Sequence, residues 1–399
     1  MRRVAVIGGG AAGLAAAVSA AQAAAGHSGQ AAGGHGAVQV TVFEKDGRIG
    51  RSILASGNGR CNFSNSTVQA GLYYHPLFVA GCFEALPAQD VHAFFASLGL
   101  VWREEDEGRL YPLSNKASSV LDVLRFALDD LGVQVRCGTE VRSVTPAKGA
   151  YLVCLGDDTA DFFDAVVVAC GGKVARSLLP PHYRYHNTQP MLGPLRTATE
   201  AIRGLNNVKA RCKATCGGHE ETGEVLFRDY GLSGIAVFDL SRFAQSGDVL
   251  ALDFLPHLDS EEVQLLLEER FALLPQRPAL GFLAGMVQQP LARAVLKAAG
   301  LPADGPLQIG DLAALAKALT SFPVTVEGIG DFRQCQVWRG GFDVDGFSPR
   351  TLEAKGDPGL FVVGEALDVD GPCGGFNLHW AWATGILAGR AAALGGEEG

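Results

Sequence analysis

Val4-Ala5-Val6-Ile7-Gly8-Gly9-Gly10-Ala11-Ala12-Gly13-Leu14 is the stretch that decides the fold. Four apolar residues in a row suit a parallel strand buried on both faces. The Ala-rich run from Ala11 to Ala25 suits a helix. Between them stands Gly-x-Gly-x-x-Gly, a strand-to-helix turn. Gly8 would permit the tight turn and Gly10 would let backbone approach a pyrophosphate. Gly13, beside Ala12, would let helix and strand pack closely, while the helix N-terminus stabilises the anion. Val38 to Phe43 reads as a second buried strand, ending at Glu44 and Lys45. An acid there accepts hydrogen bonds from the ribose hydroxyls of an adenosine. Glu44 stands 31 residues beyond Gly13, where about 20 is usual. Residues 26 to 37, rich in Gly, His, Ser, Gln and Ala, read as a loop that takes up the excess.

The rest of the chain is consistent with a large dinucleotide-binding protein. Its 399 residues exceed what one core usually organises, and 48% hydrophobic against 19% charged residues supply ample core. A formal charge of −9 with scattered basic residues opposes a polyanionic partner, so no nucleic-acid substrate is expected. Nine cysteines, without any Cys-x-x-Cys pair, point to a reducing compartment. Cys212 and Cys216 are the nearest to such a pair, and no zinc-ligand set accompanies them. Met1-Arg2-Arg3 and the Ala-rich run imitate a signal peptide, but Gly8 to Gly10 interrupt the apolar stretch. No uninterrupted apolar stretch approaches the ~18 residues of a membrane span. A soluble, cytoplasmic protein acting on a small molecule, with no membrane partner and no metal, is the expectation.

Along the chain, Ser119 to Leu131 has helical periodicity, while Val133 to Cys137, Tyr151 to Cys154 and Ala165 to Cys170 read as strands. After Pro180-Pro181, residues 190 to 257 offer strand-like pieces such as Lys209 to Thr215 and Ile235 to Leu240, and no clear helix. Asp259, with Glu262 at capping-box spacing, opens a helical stretch to about Ser321 that prolines divide into short pieces. Gly359 to Gly364 returns as a strand and Asn377 to Ala393 as a helix. The first domain is therefore built from both ends of the chain.

FAD and NAD share the Gly fingerprint, and three later segments favour FAD. Thr139-Glu140-Val141 ends a strand-like stretch where FAD domains offer backbone groups to adenine, a position an ordinary edge strand would fill equally well. Ala169-Cys170-Gly171-Gly172 looks like the Ala-Thr-Gly turn of many FAD domains, with Cys in place of Thr. Gly364-Glu365 with Asp368 looks like the late motif in which an acid contacts the ribityl chain. The pair Gly374-Gly375 before the helix of Asn377 and Leu378 suits a flavin pyrimidine ring. Helix N-terminal N–H groups would stabilise the negative charge on N1 and O2 of the reduced flavin. With a single fingerprint, a two-Rossmann disulfide reductase is disfavoured, and NADH or NADPH as electron donor would have no domain of its own.

Gly50-Arg51-Ser52-Ile53-Leu54-Ala55-Ser56-Gly57-Asn58-Gly59-Arg60-Cys61-Asn62-Phe63-Ser64-Asn65 resembles the signature of the BaiN-type bacterial flavoproteins, also called NAD(P)/FAD-dependent oxidoreductases or aminoacetone-oxidase-family FAD-binding enzymes. Gly108-Arg109-Leu110-Tyr111-Pro112, Asn115-Lys116-Ala117-Ser118, Phe227 with Gly231-x-Ser233-Gly234, and Gly364 to Gly375 resemble the same family, so the likeness spans nearly the whole chain. It implies an α/β fold: a Rossmann-type, glutathione-reductase-like FAD domain (1–188 and 341–399) with an inserted β-barrel-like domain (189–257 and 322–340) that carries a small helical insert (258–321). It also implies non-covalent FAD, with Arg51, Ser52, the segment Gly57 to Asn62, and Gly374-Gly375-Phe376-Asn377 near the flavin. The chain departs from the family between Lys173 and Gln189. There a Gly/Ser/Thr-rich segment with an Asp is replaced by a stretch with Pro180-Pro181 and several aromatics.

Activities of the family include reduction of ring double bonds in 3-oxo bile-acid intermediates. The leading expectation is a reductase that passes hydride from a donor through flavin N5 to an activated C=C bond of a hydrophobic, steroid-like enone. A flavin amine oxidase releasing peroxide and a non-catalytic flavin-binding regulator are the alternatives. Arg60, Cys61 and Asn62 are candidates to line the flavin face, Arg60 to orient a carbonyl or carboxylate or else to bind phosphate. Cys61 reads as a packing residue rather than a nucleophile, with no partner thiol or His in view. Tyr111, His379 and Lys116 are the candidate proton donors.

Overall fold

The computed structural model describes residues 1–28 and 38–395. The loop read at 26–37 lies outside the described residues except for 26–28, which continue the first helix, Ala11–Ser28. The chain forms two compact units, residues 1–189 with 337–399, and residues 190–336.

The first unit is built on a five-stranded parallel sheet, in the order Leu360–Val362, Ala165–Val168, Arg2–Ile7, Val38–Glu44, Gln134–Cys137. Its central strands are continuous apolar runs because both faces are covered: Val4, Ala5, Val6 and Val166 to Val168 are fully buried. Register aligns their ends, Ile7 opposite Phe43 and Val168, and Val168 opposite Val362. The turns at Gly8, Glu44, Ala169 and Gly364 therefore emerge along one edge, where open α/β sheets bind their ligands.

The Ala-rich helix is buried from Ala11 to Ala21. Gly385 and Gly389, one turn apart on the terminal helix Phe376–Leu394, lie against it so closely that a Cβ at either would come within 2.3 Å and 2.2 Å of the Ala12 and Ala16 carbonyl oxygens. Alanine on one helix and glycine on the other permit this backbone approach. Among the described residues no helix is long and apolar enough to cross a membrane.

Two smaller antiparallel sheets, Ser64–Asn65 with Arg109–Pro112 and Trp102–Glu105, and Val141–Ala147 with Ala150–Leu155 and Ala160–Phe163, flank the main one in sequence. The strands Tyr185–Met191 and Val337–Phe342 pair where the chain leaves the first unit and returns.

The second unit is a closed six-stranded barrel of Leu195–Thr197, Gly231–Ser233, His219–Arg228, Lys209–Cys216, Val249–Asp253 and Phe322–Ile329. Four α-helices, from Ser260 to Thr320, are inserted between its last two strands. The first is closed by the Asp259/Glu262 capping box, with both reciprocal bonds formed. Ile235–Leu240, expected as a strand, is instead an α-helix. Gly234, at φ 107, breaks from the strand before it, and Ala236, Val237 and Leu240 bury one helical face. Tertiary packing overrides the β preference of this short apolar run.

Candidate functional site

The candidate site lies along the strand-end edge of the parallel sheet. A Cβ on Gly8 would stand 2.5 Å from the Ala169 carbonyl oxygen, and one on Gly13 would stand 1.9 Å from the Gly8 oxygen. Protein packing alone therefore demands glycine at both. Gly10 differs: a Cβ there would approach nothing closer than Ser52 Oγ, at 3.4 Å. The protein leaves the space in front of Gly10 open, as a phosphate-binding turn needs. Glu44 stands beside it, its Oε2 accepting the Gly9 N–H (2.8 Å) and its Oε1 the Asp46 N–H (2.8 Å). Each oxygen keeps a further lone pair for a ribose hydroxyl. Thr139 N–H donates to the Glu44 carbonyl, which brings the segment leading to buried Val141 to the same corner. Lys45, Arg51 and Ser52 are exposed, and Arg51 pairs with Asp46 at 2.7 Å.

The second part of the edge joins Ala169 to Gly172 with Gly364 to Asp368. A Cβ on Gly364 would be 3.0 Å from Ala12 Cβ, so the late motif packs on the first turn. Burial pushes the Cys170 thiol up to about 12. Burial also raises the Glu365 carboxyl, against the opposing pull of the Trp338 N–H it accepts at 2.7 Å and of Lys173. Its other oxygen faces Gly171, where a Cβ would lie 3.6 Å from Oε2. Asp368, read as a ribityl contact together with Glu365, turns its side chain elsewhere: Oδ1 accepts the Gly340 N–H (2.8 Å) and Oδ2 bonds His186 Nδ1 (2.7 Å).

The third part is the Gly374-Gly375 turn. Gly375 has φ 100, and a Cβ there would lie 2.3 Å from the Ser64 carbonyl oxygen and 2.9 Å from Asn62 Oδ1. Asn377 clamps the preceding loop, accepting the Gly371 N–H and donating to the Gly371 and Pro372 carbonyls. Asn65 holds the turn from the other side, donating to the Gly374 carbonyl at 2.9 Å. The 19-residue terminal helix starts here, with half-buried Leu378 in its first turn. Its first N–H groups have no acceptor within the helix. Buried Asn62 brings to this turn an Oδ1 without a hydrogen bond.

Gly57, Asn58 and Gly59 adopt left-handed backbone, which the Gly-Asn-Gly sequence tolerates, and Cys61 adopts it too, at φ 57. Burial raises the Cys61 thiol to about 11, only partly offset by Ser56, consistent with a packing residue. Arg60 is held by Asn115 (2.5 Å) and Glu105 (2.5 Å) and lies 4.1 Å over the Tyr111 ring. It orients Tyr111 and is spoken for on two of its three nitrogens. Lys116 is exposed at the start of the helix Ala117–Asp130.

His379 does not suit the role of proton donor. It is 0% exposed, its Nδ1 bonds Ser64 Oγ (2.8 Å), and Ser64 in turn meets His92. Burial, reinforced by His92, lowers its pKa to about 3, so it is neutral and sealed from solvent at physiological pH. Two residues not singled out from sequence belong to the edge instead. Arg109 stands 3.6 Å from where a Gly374 Cβ would be, and its only sequence signal was membership of the Gly108 to Pro112 motif. His186 lay in the divergent Lys173 to Gln189 segment, which carried no positive signal.

An open space before a Gly-rich turn, an acid at the next strand end, and a glycine pair feeding a long helix fit the pyrophosphate, ribose and pyrimidine of FAD. Together with the fold they define a Rossmann-type flavoprotein oxidoreductase. The chain belongs to the family described as HI0933-like protein Rossmann domain, whose model matches residues 2–391. It is 34% identical to the 3-dehydro-bile acid delta(4,6)-reductase of Clostridium scindens, over 98% of this chain and 99% of that protein. It is 29% identical to the ribosomal RNA dihydrouridine synthase of Escherichia coli, over 95% of each chain. Among solved structures it matches the 3-ketosteroid-delta4-(5alpha)-dehydrogenase of Rhodococcus jostii RHA1 at 13% identity and TM-score 0.49, over 98% of this chain and 97% of that one. The protein is an FAD-dependent oxidoreductase of this BaiN-like group.

Proposed function

We propose that this oxidoreductase saturates a carbon–carbon double bond conjugated with a carbonyl group, on a hydrophobic enone of the steroid or bile-acid kind, with NADH or NADPH as electron donor. The full-length 34% identity to a bile-acid delta(4,6)-reductase carries this reading. When bound, FAD supplies a hydride-transferring N5. The chain's own part is to hold the flavin by the three turns described and to meet charge on its pyrimidine ring with the N-terminus of the Phe376–Leu394 helix. Buried Asn62 brings its Oδ1 to the Gly375 turn, and the Tyr111 ring, under the Arg60 guanidinium, lies by Gly57.

A second substrate class is favoured by a specific observation, the full-length match to a ribosomal RNA dihydrouridine synthase. Both relatives' names describe adding two hydrogens across a double bond conjugated with a carbonyl. A uracil ring in RNA would thus undergo the same chemistry in a different carrier, although the net charge of −9 disfavours a long polyanion. Anaerobic titration of the purified flavoprotein with NADPH, followed by a 4,6-dien-3-one steroid or by unmodified ribosomal RNA, tests the proposal. Bleaching by NADPH and recolouring by the steroid supports it. Recolouring by RNA alone transfers it to the uracil class, and fast reoxidation in air with peroxide release and neither acceptor active overturns it in favour of an oxidase.

A further inference from the structure

The segment from Glu365 to Asp370 is fastened to the strand Val337–Phe342 through three acids. Glu365 accepts the Trp338 N–H, Asp368 the Gly340 N–H, and Asp370 the Arg339 guanidinium at 2.7 and 3.0 Å. Asp368 bonds an imidazole with its other oxygen. Its side chain is 4% exposed, and His186 Nδ1 lies 2.7 Å from Oδ2. A carboxylate only accepts, so Nδ1 carries the donated proton and Nε2 is the exchangeable position. The His186 side chain is 44% exposed, which gives Nε2 access to solvent.

The other charged groups around this pair are few. Asp343 Oδ2 lies 3.7 Å from His186 Nε2 and is itself held by Arg184 at 3.2 Å. His75 Nε2 approaches Asp368 Oδ2 from the other side at 3.7 Å. A further His–Asp pair of the first unit, His182 with Asp357, is longer than the His186–Asp368 bond, at 3.3 Å, and its carboxylate is 22% exposed. The Asp368 pair is also tied to the cofactor edge at both ends. Asp368 shares its loop with Glu365, which faces Gly171, and with Gly374-Gly375. Tyr185, next to His186, donates its hydroxyl to the Gly172 carbonyl at 2.5 Å.

We propose that His186, oriented by Asp368, delivers the proton of the double-bond reduction. This rests on the reductase reading above. The Nε2–H bond of the imidazolium breaks and a C–H bond forms at the carbon next to the carbonyl. Bound FAD, reduced with two electrons by a nicotinamide dinucleotide, would supply the hydride that the other alkene carbon takes up. The neutral imidazole then takes its next proton from solvent. Asp368 is a positioning residue, which fixes the ring by accepting its Nδ1–H.

The test separates the two half-reactions in the FAD-loaded protein. His186→Gln should retain wild-type flavin content and reduction by NADPH within about twofold, because that step needs no substrate proton. Reoxidation by whichever acceptor the wild type reduces, the dienone steroid or the RNA, should fall by ~10²-fold or more and lose its decline at alkaline pH. Reoxidation at the wild-type rate with the same pH profile overturns the assignment while leaving the reductase reading intact. A wild type that reduces neither acceptor overturns both, before any variant is made. Independently of turnover, imidazole ¹⁵N spectra should place the neutral-state proton of His186 on Nδ1, and Asp368→Asn, whose amide nitrogen would face Nδ1 while Gly340 N–H holds its oxygen, should move that proton to Nε2. No change in that variant overturns the orienting role.

Discussion

Gly10→Ala and Gly13→Ala should fail in opposite ways, although both remove a glycine of one motif. At Gly13 the new methyl would sit 1.9 Å from the Gly8 carbonyl oxygen, a distance that forces the first strand and helix apart. Overpacking of this kind costs about 1–3 kcal/mol, against a gain of up to ~1 kcal/mol in helix propensity. At Gly10 the nearest protein atom would be 3.4 Å away, and the residue is outside the left-handed region. Alanine there restricts the unfolded chain and should leave the FAD-free protein unchanged or stabilise it by roughly 0.4–1 kcal/mol. The same methyl enters the space reserved for the pyrophosphate. An overpacking cost of about 1–3 kcal/mol transferred to the complex weakens FAD by roughly 5- to 150-fold. Thermal unfolding of the FAD-free variants, paired with FAD titration by quenching of flavin fluorescence, separates the two effects. Expected are an undiminished melting temperature with weak FAD binding for Gly10→Ala, and a melting temperature lowered by a few degrees for Gly13→Ala. Wild-type affinity in Gly10→Ala, or equal destabilisation of both variants, would refute the assignment of Gly10 to the ligand.

Three further outcomes follow from buried groups. The pKa of His379 falls from 6.5 to about 3 on burial, so protonation favours the unfolded chain. Its contribution is complete above pH 6.5 and is lost as pH falls toward 3, at up to about 1.4 kcal/mol per pH unit. Urea midpoints measured between pH 7 and 5 should therefore fall less steeply in His379→Asn, which can keep the Ser64 hydrogen bond, than in wild type; equal slopes would place the acid sensitivity elsewhere. Cys61 and Cys170, held near 11 and 12, should resist iodoacetamide at pH 8 in the folded protein, and Cys61→Ala should retain reduction by NADPH within a few-fold. Rapid labelling of either thiol, mapped by peptide mass, would show that the segment carrying it opens in solution.

What could be read from the chain alone was whatever local geometry dictates. The first glycine turn needs only its own strand, its own helix and one acid, and all of that is written within forty-odd residues. The capping box at Asp259 is local in the same way. Gly385 and Gly389 carried no signal, because their necessity is set by Ala12 and Ala16, at the other end of the chain. Ile235–Leu240 misled because six apolar-rich residues satisfy either period, and only the barrel wall decides between them. The same principle governs the acids and imidazoles of the site. Whether Asp368 faces a ribityl chain or a histidine depends on the strand Val337–Phe342, whose Gly340 N–H takes one oxygen and thereby aims the other. His379, on a helix that seemed to point at the flavin, is instead turned into a pocket of Phe83, His92 and Ser64. A motif thus locates the cofactor, because backbone does most of the holding. The proton chemistry depends on side-chain partners distant in sequence, and in the proposal above it rests on His186, within the Lys173 to Gln189 segment that carries no motif.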